Sequence, residues 1–181
     1  ESGIVVPSFS KLNLVEFMKD SIYYIKENIR SDANIILDTN NDIIEIKTDK
    51  KLLAQIVDNL LLNAIKFSLP KSPIEISIES RISSFIIKIT DKGIGIPYNE
   101  QDEIFVPFYR AANAQNIQGT GLGLSIARRW TTILGGTITF YSVLDKGTTF
   151  ILELPVDSEK DGSKDSINIR KESEYNFSPL L

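Results

Sequence analysis

Between Ile74 and Ile89 the chain carries a pattern that only one kind of local structure satisfies. Ile74, Ile76 and Ile78 alternate with Glu75, Ser77 and Glu79, and Phe85, Ile87 and Ile89 repeat the alternation. Successive strand residues point to opposite faces, so these are two strands with one apolar face each, and that face must be covered. The helical stretches supply the cover. Leu14, Phe17, Met18, Ile22, Ile25 and Ile29 recur at helical spacing. Asp49 is placed to cap a second helix running to about Phe67, and a third spans Leu122–Leu134, closed by Gly135-Gly136. Further strands are expected at Asn34–Leu37 and Ile43–Ile46, joined as a hairpin through Asn40-Asn41. A last pair, Thr137–Ser142 and Thr148–Leu154, flanks Asp145-Lys146-Gly147. Residues 97–120 read as irregular. The expected class is an α+β sandwich.

The chain's 181 residues fit one domain. With 42% hydrophobic and 24% charged residues it is ordinary globular material. A net charge of −4 and the lack of any dense Lys/Arg cluster argue against nucleic-acid binding. The absence of Cys excludes disulfides, thiolate nucleophiles and zinc clusters. The absence of His excludes a His triad, a His-ligated metal and imidazole acid/base chemistry. No apolar run is long enough to insert into a membrane. No signal peptide shows, and the start at Glu1-Ser2-Gly3 without Met is expected of an excised piece. Three segments are expected: a linker over 1–12, a globular domain over 13–156, and a charged flexible tail over 157–181.

Three elements bear chemistry. On the second helix, Asn59, Asn63 and Lys66 fall within roughly 60° of one another at about 100° per residue, beside the apolar arc of Ile56, Val57, Leu60, Leu61, Ala64 and Phe67. A carboxamide oxygen is a hard neutral ligand suited to Mg²⁺, and an ammonium suits phosphate. Asp91-Lys92-Gly93-Ile94-Gly95-Ile96-Pro97 follows a strand. A carboxylate there accepts from an exocyclic amine, and its glycines let a flat base approach. Gly119-Thr120-Gly121-Leu122-Gly123-Leu124 opens a helix and exposes N–H groups at its positive end. Taken singly, these are equally an amphipathic helix with a solvated face, a turn, and a tightly packed helix start. Neither a dinucleotide fingerprint nor a Walker loop is present.

In order, Asn-x-x-x-Asn-x-x-Lys-Phe, Asp-x-Gly-x-Gly, Phe-x-Pro-Phe-Tyr-Arg (Phe105 to Arg110), Gly-x-Gly-Leu-Gly-Leu and Gly147-Thr148-Thr149-Phe150 closely resemble the ATP-binding catalytic domain of sensor histidine kinases. That family is part of the superfamily shared with gyrase, Hsp90 and MutL, and the resemblance covers about residues 10–155. It implies a Bergerat ATP-binding fold: a two-layer sandwich in which three helices cover one face of a mixed, mostly antiparallel sheet. It further implies Asn63 as the Mg²⁺ ligand, Asn59 as its support or as a phosphate contact, and Lys66 as a phosphate contact, with Phe67 near the nucleoside. Asp91 would select adenine, with Gly93, Gly95 and Ile96 shaping the base pocket and Thr148 assisting through water. Residues 97–120 would be a mobile lid directing Tyr109 and Arg110 towards the phosphates. Gly119, Thr120, Gly121, Leu122, Gly123 and Leu124 would cradle the triphosphate.

The hydrolases of that superfamily carry a Glu general base four residues before the metal Asn, and this chain has Asn59 there. An amide accepts no proton at useful pH, so phosphoryl transfer with little hydrolysis is expected, with Asn59, Lys66 and Arg110 as its catalytic residues. The acceptor His would sit on a dimerisation domain of the full-length kinase, the linker over 1–12 being its exit. A response-regulator receiver domain would be the onward partner. The resemblance implies a cytoplasmic location, free or as the cytoplasmic part of a membrane-bound sensor. A stand-alone Ser/Thr kinase of the anti-sigma-factor type is the alternative. Those relatives keep an acid at the Asn59 position and lack the Phe-x-Pro-Phe-Tyr-Arg box. A non-catalytic nucleotide-sensing module is the third reading, and no box is lost to favour it.

Overall fold

The computed structural model describes residues 5–158. Strand β1 (Ser10–Asn13) leads into α1 (Leu14–Asn28), β2 (Ile35–Thr39), β3 (Glu45–Thr48), α2 (Lys50–Phe67), β4 (Ile74–Ser80) and β5 (Ser84–Asp91). Two 3₁₀ turns, Tyr98–Glu103 and Ala112–Ala114, interrupt the next segment. Helix α3 (Gly123–Ile133), β6 (Thr137–Val143) and β7 (Gly147–Pro155) complete the order. Among the described residues no helix is long and apolar enough to cross a membrane.

Five strands form one mixed sheet in the order β2-β4-β5-β7-β6, with β2 parallel to β4 and the other pairs antiparallel. The expected alternation sets the register of the β4–β5 hairpin, with Ile76 opposite Ile89 and Ile78 opposite Ile87. Their apolar face, with Phe85, Leu152 and Leu154, is buried under the helices. Helix α2 lies centrally, touching β5 and packing along α3, while α1 covers β2 and α3 covers β6. The fold is the expected α+β sandwich, with helices on one face of a mixed sheet.

Asp49 caps α2 as its position predicts. The carboxylate accepts from the backbone N–H groups of Lys51 and Leu52 at 2.8 and 3.1 Å, two of the donors a helix start leaves unpaired. From there Leu53, Ile56, Val57, Leu60 and Leu61 are essentially inaccessible to solvent, each contributing about 1.5–3 kcal/mol by leaving water. That burial fixes the rotation of α2. Asn59, Asn63 and Lys66 are left half-buried along one edge of its core face.

The expected hairpin between Asn34–Leu37 and Ile43–Ile46 does not form. Strand β2 pairs in parallel with β4, Ile35 opposite Ile74, and β3 pairs with β1 in a separate two-stranded sheet, Leu12 opposite Ile46. The chain between them is drawn away to the start of α1. There the N–H of Leu14 donates to Ile44 O at 2.8 Å, and the Asn13 side chain accepts from Ile44 N. Buried Ile44 and Ile46 anchor that turn in the core. Strand β1 occupies the last residues of the expected linker, and Asn13 caps α1 by accepting from Val15 N at 3.1 Å. The expected tail begins with two packed residues: the Asp157 backbone bridges to Lys47, and Ser158 is fully buried with its hydroxyl on Thr48 Oγ1 at 3.3 Å. Residues 159–181 of that tail lie outside the described residues.

Candidate functional site

The edge of α2, the end of β5, the loop after it, the 97–122 segment and the start of α3 enclose a cavity of about 290 Å³. It brings together most of the residues singled out by sequence. Asn59, Asn63, Lys66 and Phe67 line it from α2, and Asp91, Gly95 and Ile96 from β5 and its loop. Tyr109 and Arg110 line it from the intervening segment, Gly119, Thr120, Gly121, Gly123 and Leu124 from the start of α3, and Thr148 from β7. Two expected residues are not on its wall. Leu122 is the N-cap residue of α3 and is not among the residues that line the cavity. Gly93 serves instead as a spacer, because a Cβ there would strike the carbonyl oxygen of Phe67, against which the loop packs.

Sequence reasoning passed over Leu62, Ile94, Ile104, Ala111, Asn113, Ala114 and Phe150, which also line the cavity. Most are apolar, and nothing in an apolar residue's identity separates a pocket wall from ordinary core. Asn113 carried a polar signal but no spacing that tied it to the loop it reaches, where its Nδ2 donates to Gly95 O at 2.9 Å.

At the apolar end, Asp91 is only 5% exposed. Its Oδ1 accepts from Gly93 N at 2.9 Å, and the backbone N–H of Thr148 donates to the same carboxylate. Burial nevertheless pushes the Asp91 carboxyl up to about 6, because the two donors offset only part of the lost hydration. Ile94, Ile96, Ile104 and Phe150 line the cavity with it, a setting for an apolar heterocycle whose exocyclic amine donates to the carboxylate.

At the other end, Lys66 and Arg110 are close enough for the guanidinium, after burial, to pull the Lys66 ammonium below its usual pKa. Neither cation has an ion-pair partner among the described residues. Two like charges facing one cavity destabilise each other until an anion enters. The Lys66 ammonium lies over the Phe67 ring at 4.8 Å and reaches the space beside Gly119. Gly121 has φ +75°, and a Cβ there would come within 2.6–2.8 Å of the Phe108–Tyr109 backbone, so this turn admits only glycine. The Asn59 amide donates to Gln55 O at 2.7 Å with its Oδ1 turned to Gly123. The Asn63 carboxamide has no hydrogen-bond partner among the described residues and is left for a ligand.

Tyr109 and Arg110 also make contacts within their own segment. Both line the cavity, but the Tyr109 hydroxyl donates to Glu100 Oε2 at 2.8 Å, and this pushes the phenol up to about 12. The same Glu100 oxygen accepts from Ala112 N at 2.8 Å. Arg110 Nη2 donates to the carbonyls of Ala114, Gln115 and Ile117. A planar guanidinium with five donors satisfies several carbonyls of one turn at once. These side chains therefore hold the backbone of the 97–122 segment itself, and what Arg110 offers the cavity is its charge.

A buried carboxylate at an apolar wall, joined to a cation-lined helix start, is an arrangement suited to a nucleotide. The family of histidine kinase-, DNA gyrase B-, and HSP90-like ATPases matches residues 48–158. The chain belongs to that family. The sensor protein kinase WalK of Staphylococcus haemolyticus is 32% identical over 143 residues, covering 77% of this chain and 24% of the relative. WalK of Staphylococcus aureus is 34% identical over 138 residues, 74% of this chain and 33% of the relative. The chain thus spans a quarter to a third of these curated relatives. Among solved structures, the catalytic domain of histidine kinase ThkA superposes with TM-score 0.74 at 30% identity, covering 84% of this chain and 99% of that one. The mycobacterial sensor histidine kinase MprB gives 0.71 at 25% identity, with 82% and 97% covered. The chain is an ATP-binding catalytic domain of the sensor histidine kinase type.

Proposed function

We propose that this domain transfers the γ-phosphoryl group of Mg-ATP to a His on the dimerisation domain of its own kinase, and that a receiver domain of a response regulator takes the group onward. The observation that carries the reading is the joining, in one cavity, of a carboxylate fit for the adenine 6-amino group and a cation pair fit for phosphates. The ThkA–TrrA complex, a histidine kinase with its response regulator, matches this chain at TM-score 0.69 and 27% identity and supports the receiver as partner. The reading carries a cytoplasmic location, where ATP is supplied.

Each side chain then has a task. Asp91 accepts from the base, and Ile94 and Phe150 exclude water around it. Lys66 and the charge of Arg110 neutralise the phosphates, and the backbone N–H groups of Gly119–Gly121, Gly123 and Leu124 serve their oxygens at the positive end of α3. Asn63 is the ligand for Mg²⁺, a cation that takes few protein ligands and keeps its waters. When bound there, the ion would supply charge neutralisation to the phosphates. Asn59 orients by hydrogen bonding but takes no proton from water, so the site transfers rather than hydrolyses.

Radiolabelled ATP given to the chain alone, then with a separately produced His-bearing dimerisation domain, tests this. The expected result is slow phosphate release by the chain alone and acid-labile label on the added domain. Rapid hydrolysis, or acid-stable label on the chain's own Ser or Thr residues, overturns it.

A further inference from the structure

Behind the base-reading carboxylate lies a second polar group that no motif contains. Ser142, on β6, is 9% exposed. Its Oγ accepts from the backbone N–H of Ile96 at 2.9 Å, lies 2.8 Å from Thr148 Oγ1, and lies 3.2 Å from Gly147 O. A hydroxyl has one proton and two lone pairs. The Ile96 N–H takes one lone pair, so the single proton chooses between Thr148 and Gly147. The bond to Gly147 O, at 3.2 Å, is the longer of the two, and an acceptor bound beside Thr148 draws the Thr148 proton and leaves the Ser142 proton on Thr148 Oγ1 at 2.8 Å. With the Ser142 proton on Thr148 Oγ1, the Thr148 hydroxyl becomes an acceptor towards Ser142. Its own proton is then free to point into the cavity that Thr148 lines.

The base slot then presents two unlike groups next to each other. Asp91 is an acceptor, and Thr148, across the β5–β7 ladder from it, is a donor. Adenine offers the complement, an amine donor at C6 beside a ring-nitrogen acceptor at N1. Guanine and hypoxanthine offer the reverse, a carbonyl acceptor beside an N–H donor. A carboxylate by itself distinguishes only the exocyclic group. The paired arrangement gives adenine a second contact, while the carbonyl of a 6-oxopurine still meets the carboxylate.

We propose that Ser142 is a positioning residue for base selection: it sets the Thr148 hydroxyl as a donor to the purine ring nitrogen and, through Ile96 N, fixes the loop that forms the slot. Resting on the nucleotide-kinase reading above, the proposal deepens it by naming what sets the choice of purine. Gln101 reinforces the arrangement, its Nε2 donating to Ile96 O at 3.1 Å and Ser142 O at 3.2 Å, which ties the same loop to the same strand.

The test is a double-mutant cycle read as the ratio of ADP to inosine diphosphate affinity, measured by calorimetry on the wild type, Ser142→Ala, Thr148→Val and the double variant. Losing one donor to a buried ring acceptor is expected to cut the ratio by about tenfold in Ser142→Ala. If Ser142 acts through Thr148, adding Ser142→Ala to Thr148→Val lowers the ratio little further. Ser142→Cys keeps the packing but donates and accepts weakly. It is expected to lose selectivity in the same direction, and it carries the test should the Ala variant not fold. An unchanged ratio in Ser142→Ala or Ser142→Cys overturns the proposal, as does a full, independent loss in the Thr148→Val background. A wild type that binds both nucleotides equally overturns the adenine reading itself, a failure distinct from an unchanged ratio in a selective wild type.

Discussion

Asp91 and Thr148 sit opposite each other on β5 and β7, and the Thr148 backbone N–H donates to the Asp91 carboxylate. Even so, burial holds that carboxyl near 6 against 3.8 for an ordinary aspartate. A carboxyl raised on folding makes the folded state bind an extra proton between those values. Its contribution to stability is therefore complete below the unfolded value and is lost as pH rises through about 6. Nucleotide binding runs the other way, because the 6-amino group pairs best with the ionised form. ADP affinity is expected to fall as pH drops below 6, by at most about tenfold per unit. Titration calorimetry from pH 5 to 8 checks it against Asp91→Asn. The nucleotide's own phosphate titration is common to both proteins, so only the wild type should show the extra dependence.

Asn63 has a carboxamide with no partner among the described residues, and its assigned task is to hold Mg²⁺. Nucleotide affinity of the wild type should rise when Mg²⁺ replaces EDTA. Asn63→Ala should lose most of that gain while keeping its metal-free affinity. Fluorescence titration with a labelled ADP, with and without the cation, makes the comparison.

Gly121 takes a left-handed φ of +75° with its α-carbon against the Phe108–Tyr109 backbone, and Phe108 N donates to Gly121 O at 3.0 Å. Ala there adds strain of about 1–3 kcal/mol and pushes the lid from the start of α3. Gly121→Ala is expected to weaken ATP binding by at least about tenfold. Its far-UV circular dichroism should be unchanged, since Gly121 lies outside every helix and strand.

Arg110 holds three lid carbonyls through one nitrogen. Removing it should loosen residues 111–118, whose Ala111, Ala112 and Ala114 are sites for elastase. Arg110→Ala should be nicked there faster than the wild type. Arg110→Lys should also be nicked, since an ammonium lacks the planar fork. Arg110→Ala should reduce phosphoryl transfer to a supplied dimerisation domain more than it reduces ADP affinity, because a cation near the γ-phosphoryl group acts mainly on charge in transfer. Equal losses in transfer and affinity would remove that role.

Helix α2, its Asp49 cap, the β4–β5 hairpin and the β6–β7 pair could all be read along the chain, as could the three polar clusters. Their causes are local: a side-chain period, a cap two or three residues from the donors it satisfies, a turn between adjacent strands. The neighbours of β2 and β3 could not be read. Ile35 reaches Ile74 only because α2 crosses over the sheet between them, and a pairing made by a crossover leaves no mark on either strand. The same holds for the polar partners within the site. Tyr109 and Arg110 were legible as lid residues, but the oxygens they bind belong to Glu100 and to the turn at 114–117. Ser142 lies 46 residues from the Ile96 N–H it accepts, and its hydroxyl is indistinguishable in sequence from that of any strand serine. Residue type and spacing record which groups are available. Which of them meet depends on long-range burial, which brings distant segments within the roughly 3 Å at which a hydrogen bond forms.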